Sequence, residues 1–218
     1  MIRCLFLERI YEKVLFDMDG TLVDSRAVVE RTWRNWAERH GLDAEAILAV
    51  SHGRRTEETV RRFAPARLDV ELETENLVAS EVADVRGIRA VSGAQELISS
   101  LSPRNWAVVT SASRALATRR MTAAGLPLPA LMIAAEDVSS GKPDPEGYLL
   151  AAARLGAAAK DCLVFEDAPA GVEAARRAGC DVVAITAARP HSFEAGCPEV
   201  ESFADVAFRL ARGDEAAA

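Results

Sequence analysis

The chain of 218 residues is 50% hydrophobic and 27% charged, a composition typical of one globular domain with or without an insertion. Its formal net charge of −7 argues against a nucleic acid or an anionic membrane as a partner, because both bind clustered basic surfaces. The four cysteines, none of them in a Cys-x-x-Cys pair, predict buried, reduced thiols in a cytoplasmic protein. No apolar stretch is long enough for a signal peptide or a membrane span.

The first predicted strand ends in an unusual motif. Residues 13–17, KVLFD, are typical of a buried strand, and the chain continues as DMDGT at 17–21. Side chains of a strand alternate between its faces, so Asp17 and Asp19 are expected on the same side, where their charges repel. An EF-hand calcium loop is excluded because its glycine and bidentate glutamate are missing. A helix-capping role would explain only one of the two carboxylates.

A long helical segment follows this motif. The next predicted strand begins near residue 106, whereas a strand-helix-strand unit needs only about 30 residues. Apolar side chains at helical spacing predict one helix through Trp33 and Trp36, and further helices begin near Asp43, Thr56 and Asp69, the last one reaching Arg86. We therefore predict an all-helical cap of residues 22–88, inserted into a core made of residues 1–21 and 89–218.

The rest of the chain alternates between strands and helices. Apolar runs rich in β-branched residues occur at 106–110, 131–135, 162–166 and 181–186, with amphipathic helical patterns between most of them. This alternation predicts an α/β fold with a parallel sheet covered by helices. Helices that begin at Ser113, Pro145 and Pro169 would direct their amide groups toward the carboxyl edge of the sheet, where such sheets bind ligands. The last residues, GDEAAA at 213–218, are expected to be disordered.

Three further polar motifs follow predicted strands or precede helices. They are TSAS at 110–113, GKPDP at 141–145 and FEDAPAG at 165–171. Each has an ordinary explanation on its own, such as a helix cap or a solvated lysine. Together, they would place up to four carboxylates at one edge of the sheet, from Asp17, Asp19, Glu166 and Asp167.

Such a cluster of acids needs a counter-charge. Two carboxylates ~4 Å apart repel by about 4 kcal/mol at an effective dielectric constant of 20, so one lysine cannot balance the group. A divalent cation can balance it. A site made of carboxylate oxygens and water favours Mg²⁺ over Zn²⁺.

The order of these motifs resembles that of the haloacid dehalogenase-like hydrolases. The resemblance covers nearly the whole chain: DMDGT at 17–21, Ser111 after its strand, Lys142 in GKPDP, FEDAPAG at 165–171, and a helical cap after the first motif. It implies a Rossmann-like core with helices on both faces and phosphoryl transfer through an aspartyl-phosphate. An aspartate at position 19 argues against the dehalogenase branch of the family, which needs no acid there.

The resemblance also implies a role for each motif residue. Asp17 would attack phosphorus, and Asp19 would protonate the departing alkoxide and then take a proton from the hydrolytic water. The phosphate oxygens would be held by Thr21, Ser111, the amide of Ala112, and Lys142. Mg²⁺ would be bound by Asp17, the Asp19 carbonyl and Asp167, with Glu166 orienting a metal-bound water.

Two branches of the family share this cap type. The β-phosphoglucomutase-like enzymes resemble one another in a cap histidine whose position is occupied here by Val29, which argues against mutase chemistry. The cap segment AVSHGRRT at 49–56 instead resembles glycerol-phosphate phosphatases and bacterial sugar or sugar-alcohol phosphatases. His52, Gly53 and Arg55 are therefore the candidates for reading a polyol or sugar phosphate, although His52 could equally pack within the cap.

A phosphorylatable signalling receiver is the alternative from another class of protein. Receivers also place acids, a hydroxyl residue and a lysine at strand ends, but they have about 120 residues and no cap. Their acid pair comes first along the chain, and they need no second aspartate two residues after the phosphorylated one. We expect an enzyme, acting as a monomer or a small homo-oligomer.

Overall fold

The computed structural model describes residues 2–4, 7–187, 196–206 and 208–210. Its strands are β1 (Ile2–Cys4), β2 (Arg9–Tyr11), β3 (Lys13–Phe16), β4 (Val23–Asp24), β5 (Arg89–Ala90), β6 (Trp106–Val109), β7 (Met132–Ile133), β8 (Cys162–Glu166), β9 (Asp181–Ile185), β10 (Glu199–Val200) and β11 (Phe208–Leu210). Its α-helices are α1 (Arg26–His40), α2 (Ala44–Ser51), α3 (Thr56–Phe63), α4 (Val70–Ala83), α5 (Ala94–Ser100), α6 (Arg114–Ala123), α7 (Glu146–Arg154) and α8 (Pro169–Ala178). Short 3₁₀ turns lie at Ala135–Asp137, Ala159–Asp161 and Phe203–Asp205.

A parallel sheet of six strands forms the centre of the molecule. Its order is β10-β9-β8-β3-β6-β7, so β3 lies between β8 and β6. Helices α5 and α6 pack on one face, and α7 and α8 pack on the other, each over its own cluster of buried side chains. The predicted Rossmann-like α/β core is confirmed. The chain reverses its winding direction on either side of β3, which places the carboxyl end of β3 at a ligand-binding position.

The sequence predicted the core elements closely. The helix after β6 begins where the Ser113 hydroxyl accepts the Leu116 amide, and α8 begins at Pro169 and ends before Gly179. The strand predicted at 131–135 is shorter, since only Met132 and Ile133 pair with β6 before a 3₁₀ turn begins.

Helices α1 to α4 pack together above the sheet. Their buried cluster includes Trp33, Trp36, Ile47, Val60 and Leu77 and is separate from the two clusters of the sheet. Asp43 and Asp69 cap α2 and α4 as the sequence indicated. The prediction that the last helix reaches Arg86 was wrong: it ends at Ala83.

The early end of α4 has a local cause. The Asp84 side chain accepts hydrogen bonds from the backbone amide of Arg86 and from the guanidinium groups of Arg31 and Arg86. These bonds turn the chain toward β5.

The two connections between these helices and the core lie side by side. β4 and β5 pair antiparallel, and Asp24 accepts hydrogen bonds from the guanidinium groups of Arg26 and Arg89. Residues 22 and 88, the predicted limits of the cap, lie next to this pair. We propose on this basis that residues 22–88 form the cap.

The N-terminal residues form a structure that the sequence did not reveal. β1 pairs antiparallel with both β2 and β11, which makes a small three-stranded sheet. The tail at 213–218, expected to be disordered, lies outside the described residues. None of the helices in the described part of the chain has the length and apolarity needed to cross a membrane.

Candidate active site

A pocket opens at the carboxyl edge of the sheet, beneath helices of the cap. Core residues that line it are Asp17, Asp19, Gly20, Thr110, Ser111, Ala112, Leu116, Arg120 and Asp167. The cap and its connection contribute Ser25, Arg26, Val29, Trp33, Ser51, His52, Gly53, Arg54, Thr56 and Glu81. The cavity therefore has an acidic floor, formed by Asp17, Asp19 and Asp167, and a roof formed by residues of the cap.

The two aspartates of the first motif face this cavity together. Asp17 follows β3 directly, and Met18 between the two aspartates is fully buried in the apolar core. This alternation places Asp17 and Asp19 on the same side, as the sequence indicated. The chain then folds back sharply, because the Gly20 amide donates to the Val23 carbonyl.

Lys142 is buried between Asp17 of the cavity and Glu166 behind it. Its ammonium donates to Asp17 Oδ1 at 2.5 Å, to Glu166 Oε1 at 2.6 Å and to the Val109 carbonyl at 3.0 Å. Burial alone would lower the pKa of Lys142, but Asp17 and Glu166 outweigh it and raise that pKa. The lysine predicted to hold phosphate is thus the counter-ion of two acids in this structure.

Glu166 is held from several directions. Its Oε1 accepts a second hydrogen bond, from the Tyr148 hydroxyl at 2.9 Å, and its Oε2 accepts the amides of Asp167 and Ala168 at 2.9 and 3.1 Å. The side chain is fully buried. Gly171 on α8 makes room for it, since a Cβ there would lie 1.6 Å from Glu166 Oε1. Glu166 therefore fixes Lys142 in place.

Three buried carboxylates come close enough to bind one metal ion. Asp17, Glu166 and Asp167 each offer an oxygen, and these oxygens lie within 4.8 Å of one another. When ionised, the three acids carry three negative charges, and Lys142 neutralises one of them, so one divalent cation would balance the other two. Burial, with Glu166 adding to it and Lys142 opposing it, raises the pKa of Asp17 to about 7. Burial also raises the pKa of Asp167 well above its ordinary value, and Asp17 and Glu166 add to this. An all-oxygen donor set fits a divalent cation of the hard type.

Asp19 belongs to a second charged group that the sequence did not indicate. Its Oδ1 accepts the Ser25 hydroxyl at 2.7 Å, and its Oδ2 accepts Arg120 Nη1 at 2.7 Å. Arg120 Nη2 donates to Oε1 of Glu81 on α4, also at 2.7 Å. Arg120 and Glu81 had no signal in the sequence, because helical charged residues are usually solvated.

The predicted phosphate-binding residues occupy two positions. Ser111 and Ala112 line the cavity; the Ser111 hydroxyl donates to the Gly53 carbonyl at 2.9 Å, and the Ala112 amide donates to the Thr110 hydroxyl at 3.1 Å. Thr21 is fully buried behind the floor, and its hydroxyl donates to Asp167 Oδ1 at 3.4 Å. Thr21 thus contacts a candidate metal ligand.

The cap residues predicted to contact the substrate lie in two different environments. His52 and Gly53 line the cavity. The Arg55 guanidinium instead donates to carbonyl groups of the core, those of Ala135 at 3.1 Å and Val138 at 2.7 Å. Its neighbour Arg54 is among the cavity-lining residues and was not singled out from the sequence. In this structure, Arg55 therefore joins the cap to the core.

Comparison with known proteins establishes the family. The family model of the haloacid dehalogenase-like hydrolases matches residues 11–179, which include β3, the cap helices and β8. The chain belongs to this family. The receiver alternative is thereby set aside.

Characterised relatives and solved structures agree with this assignment. The chain is 46% identical to hexitol phosphatase A of Escherichia coli over 177 residues, which cover 79% of this chain and 82% of that protein. It is 34% identical to glycerol-1-phosphate phosphohydrolase 1 of Saccharomyces cerevisiae over 198 residues, covering 84% and 78%. A hydrolase from Pseudomonas syringae superposes with a TM-score of 0.76 at 26% identity, covering 86% of this chain and 92% of that one. The protein is an enzyme of the phosphatase type.

Proposed function

We propose that the protein is a Mg²⁺-dependent phosphomonoesterase that hydrolyses small polyol or sugar phosphates through an aspartyl-phosphate on Asp17. The observation that carries this proposal is the placement of Asp17 and Asp19 on the wall of one cavity, with Asp167 beside them and a polar cap segment above. The relatives named for hexitol and glycerol phosphates support the substrate class.

The chain's own residues provide the two steps. A carboxylate oxygen of Asp17 attacks phosphorus in line, the bond to the ester oxygen breaks, and Asp19 gives its proton to the departing alkoxide. Water then attacks the phosphorus, the bond to Asp17 breaks, and Asp19 takes the proton from the water. Lys142 keeps Asp17 in place through its short ion pair. Ser111 and the Ala112 amide would bind the non-bridging oxygens after releasing their present partners.

Mg²⁺ would be held by Asp17, Asp167 and the Asp19 carbonyl. Glu166 would not bind it directly but would orient one of its water ligands. When bound, the ion would neutralise charge on the phosphoryl group. The buried floor fits this role, because its acids outnumber its one lysine.

We predict that Gly20→Ala weakens the metal site. Gly20 has a φ of +88°, and a Cβ there would lie 1.9 Å from Asp167 Oδ2, so the new methyl group must displace that carboxylate. The Mg²⁺ concentration that gives half-maximal turnover of p-nitrophenyl phosphate should rise at least about tenfold.

Gly156→Ala is the matched control. Gly156 has a φ of +72° with open space around it, so this variant should share the backbone strain of about 1 kcal/mol without the metal effect. Equal Mg²⁺ requirements in the two variants would contradict the assignment of Asp167.

The substrate class is tested by a phosphate-release screen. Glycerol phosphates, hexose phosphates and hexitol phosphates are each incubated with the enzyme and Mg²⁺, and free phosphate is measured. We expect at least one of these classes to release clearly more phosphate than nucleotides do. Conversion of glucose 1-phosphate into glucose 6-phosphate with little free phosphate would instead establish the mutase alternative. Val29, which lines the cavity with an apolar side chain, does not favour that outcome.

We predict different effects for the two neighbouring arginines of the cap. Arg54→Met should raise the KM for the preferred polyol phosphate roughly tenfold, because a charged hydrogen-bond donor is removed from the cavity wall. Arg55→Met should change kcat and KM for all substrates in parallel, because it removes the contacts with the Ala135 and Val138 carbonyls. His52→Ala, screened on the same panel, should alter the order of preference. A change in selectivity with Arg55→Met alone would restore Arg55 as the specificity residue.

The remaining expectations concern the setting of the enzyme. We propose a cytoplasmic location, which is supported by four free cysteines, of which Cys197 is partly exposed rather than buried as predicted. Action as a monomer or small homo-oligomer and the absence of a nucleic-acid partner stay predictions from the charge and composition.

A further inference from the structure

Arg120 is a buried cation whose partners link the catalytic floor to the cap. It lies on α6 with 3% of its side chain exposed and makes one ion pair with Asp19 and another with Glu81, each at 2.7 Å. Its Nε is buried without a hydrogen-bond partner among the described residues. A buried arginine is costly unless its partners compensate it, so these two carboxylates determine where the guanidinium lies.

The Asp19 carboxylate is oriented by two donors. The Ser25 hydroxyl binds one oxygen and Arg120 binds the other, which fixes the carboxylate plane although 28% of the side chain is exposed. A carboxylate has about four acceptor positions, so two remain for other donors such as water. Without Arg120, this side chain could turn about its own bonds in the cavity.

Glu81 makes the support depend on the cap. It lies on α4, and only 7% of its side chain is exposed. If Glu81 did not accept the hydrogen bond from Nη2, Arg120 would bury an unpaired donor. The orientation of Asp19 is thus connected, through Arg120, to the position of a cap helix.

We propose that Arg120 is a positioning residue for the second half of the reaction. It holds Asp19 as the carboxylate that takes a proton from water while the water oxygen bonds to phosphorus, the bond from phosphorus to Asp17 breaks, and phosphate leaves. Glu81 in turn fixes Arg120, so the seated cap completes the arrangement. This inference rests on the proposed phosphatase mechanism.

The test separates the two half-reactions of p-nitrophenyl phosphate. The p-nitrophenolate group leaves without needing a proton, so the first step does not depend on Asp19, whereas hydrolysis of the aspartyl-phosphate does. For Arg120→Met, we expect kcat to fall about 100-fold while kcat/KM stays within about threefold of the wild type. Rapid mixing should show a burst of p-nitrophenolate equal to the enzyme concentration, with phosphate bound covalently to the protein.

Three further variants serve as controls. Arg119→Met is the matched control, because Arg119 is an exposed neighbour on α6 that donates to the Val82 carbonyl of the cap. It should leave both kinetic constants unchanged. Glu81→Met should reduce kcat about tenfold with the same burst, and Glu81→Gln, whose amide oxygen still accepts from Arg120, should restore most of kcat.

The outcomes are distinct. Parallel loss of kcat and kcat/KM without a burst, or unchanged kcat, would overturn the role of Arg120. If Arg120→Met does not fold, the two Glu81 variants provide the test. The proposal then requires a lower kcat with a burst for Glu81→Met and a kcat that is mostly restored in Glu81→Gln. If the wild type with Mg²⁺ fails to hydrolyse p-nitrophenyl phosphate, the proposed function fails instead.

Discussion

Replacement of Asp17 by asparagine should reduce phosphatase turnover by at least about 10⁴-fold, because the amide cannot form the acyl-phosphate bond. The variant should still fold. Burial raises the pKa of Asp17 to about 7, so a neutral side chain is tolerated at this position, and Lys142 keeps its bonds to Glu166 and the Val109 carbonyl. The free energy of unfolding should therefore change by only about 1 kcal/mol. Turnover of p-nitrophenyl phosphate and urea denaturation measure the two effects.

Asp161→Asn provides the matched control. Asp161 precedes β8, at the opposite edge of the sheet from Glu166. The substitution therefore makes the same chemical change far from the cavity. Wild-type activity is expected for this variant. Turnover of Asp17→Asn within about tenfold of the wild type would rule out Asp17 as the nucleophile.

Replacement of Lys142 by methionine should destabilise the protein by about 3–5 kcal/mol when metal ions are removed with a chelator. The lysine side chain is 6% exposed and pairs with two buried acids, so its loss leaves Asp17 and Glu166 without their cation. Mg²⁺ should restore more stability to this variant than it adds to the wild type, because the acidic floor then has one positive charge fewer. Activity should also fall, since Asp17 loses the contact that holds it.

Lys160→Met is the control for this change, because Lys160 is exposed in a 3₁₀ turn before β8. Its free energy of unfolding should match that of the wild type within about 0.5 kcal/mol. If Lys142→Met were as stable as Lys160→Met in chelator, then the ion pairs at the floor would not contribute to stability as proposed.

Several elements could be predicted from the sequence because their signals are local. The strand at 162–166, the helix starts at Ser113 and Pro169, and the capping aspartates Asp43 and Asp69 depend on residues next to them in the chain. The short strands β1 and β2 gave no such signal. They exist because β1 pairs with β2 and with β11, which lies near the other end of the chain.

In the candidate site, too, the sequence predicted the residues with local signals but not the contacts between distant parts of the chain. Alternation along one strand was enough to place Asp17 and Asp19 together, and the motif order was enough to name Lys142, Glu166 and Asp167. The sequence could not say that Lys142 pairs with Asp17, because 125 residues separate them. It also could not distinguish Arg54 from Arg55, since adjacent residues on a loop differ only in the direction of their side chains.

By itself, the sequence determined the α/β class, the inserted helices and the acids that gather at the sheet edge, because periodicity and motif spacing are properties of neighbouring residues. The tertiary structure alone decided which charges meet. Arg120 and Glu81 are ordinary helical residues until the cap helix α4 packs near α6, where burial forces each to find a partner, and Asp19 is oriented as a result.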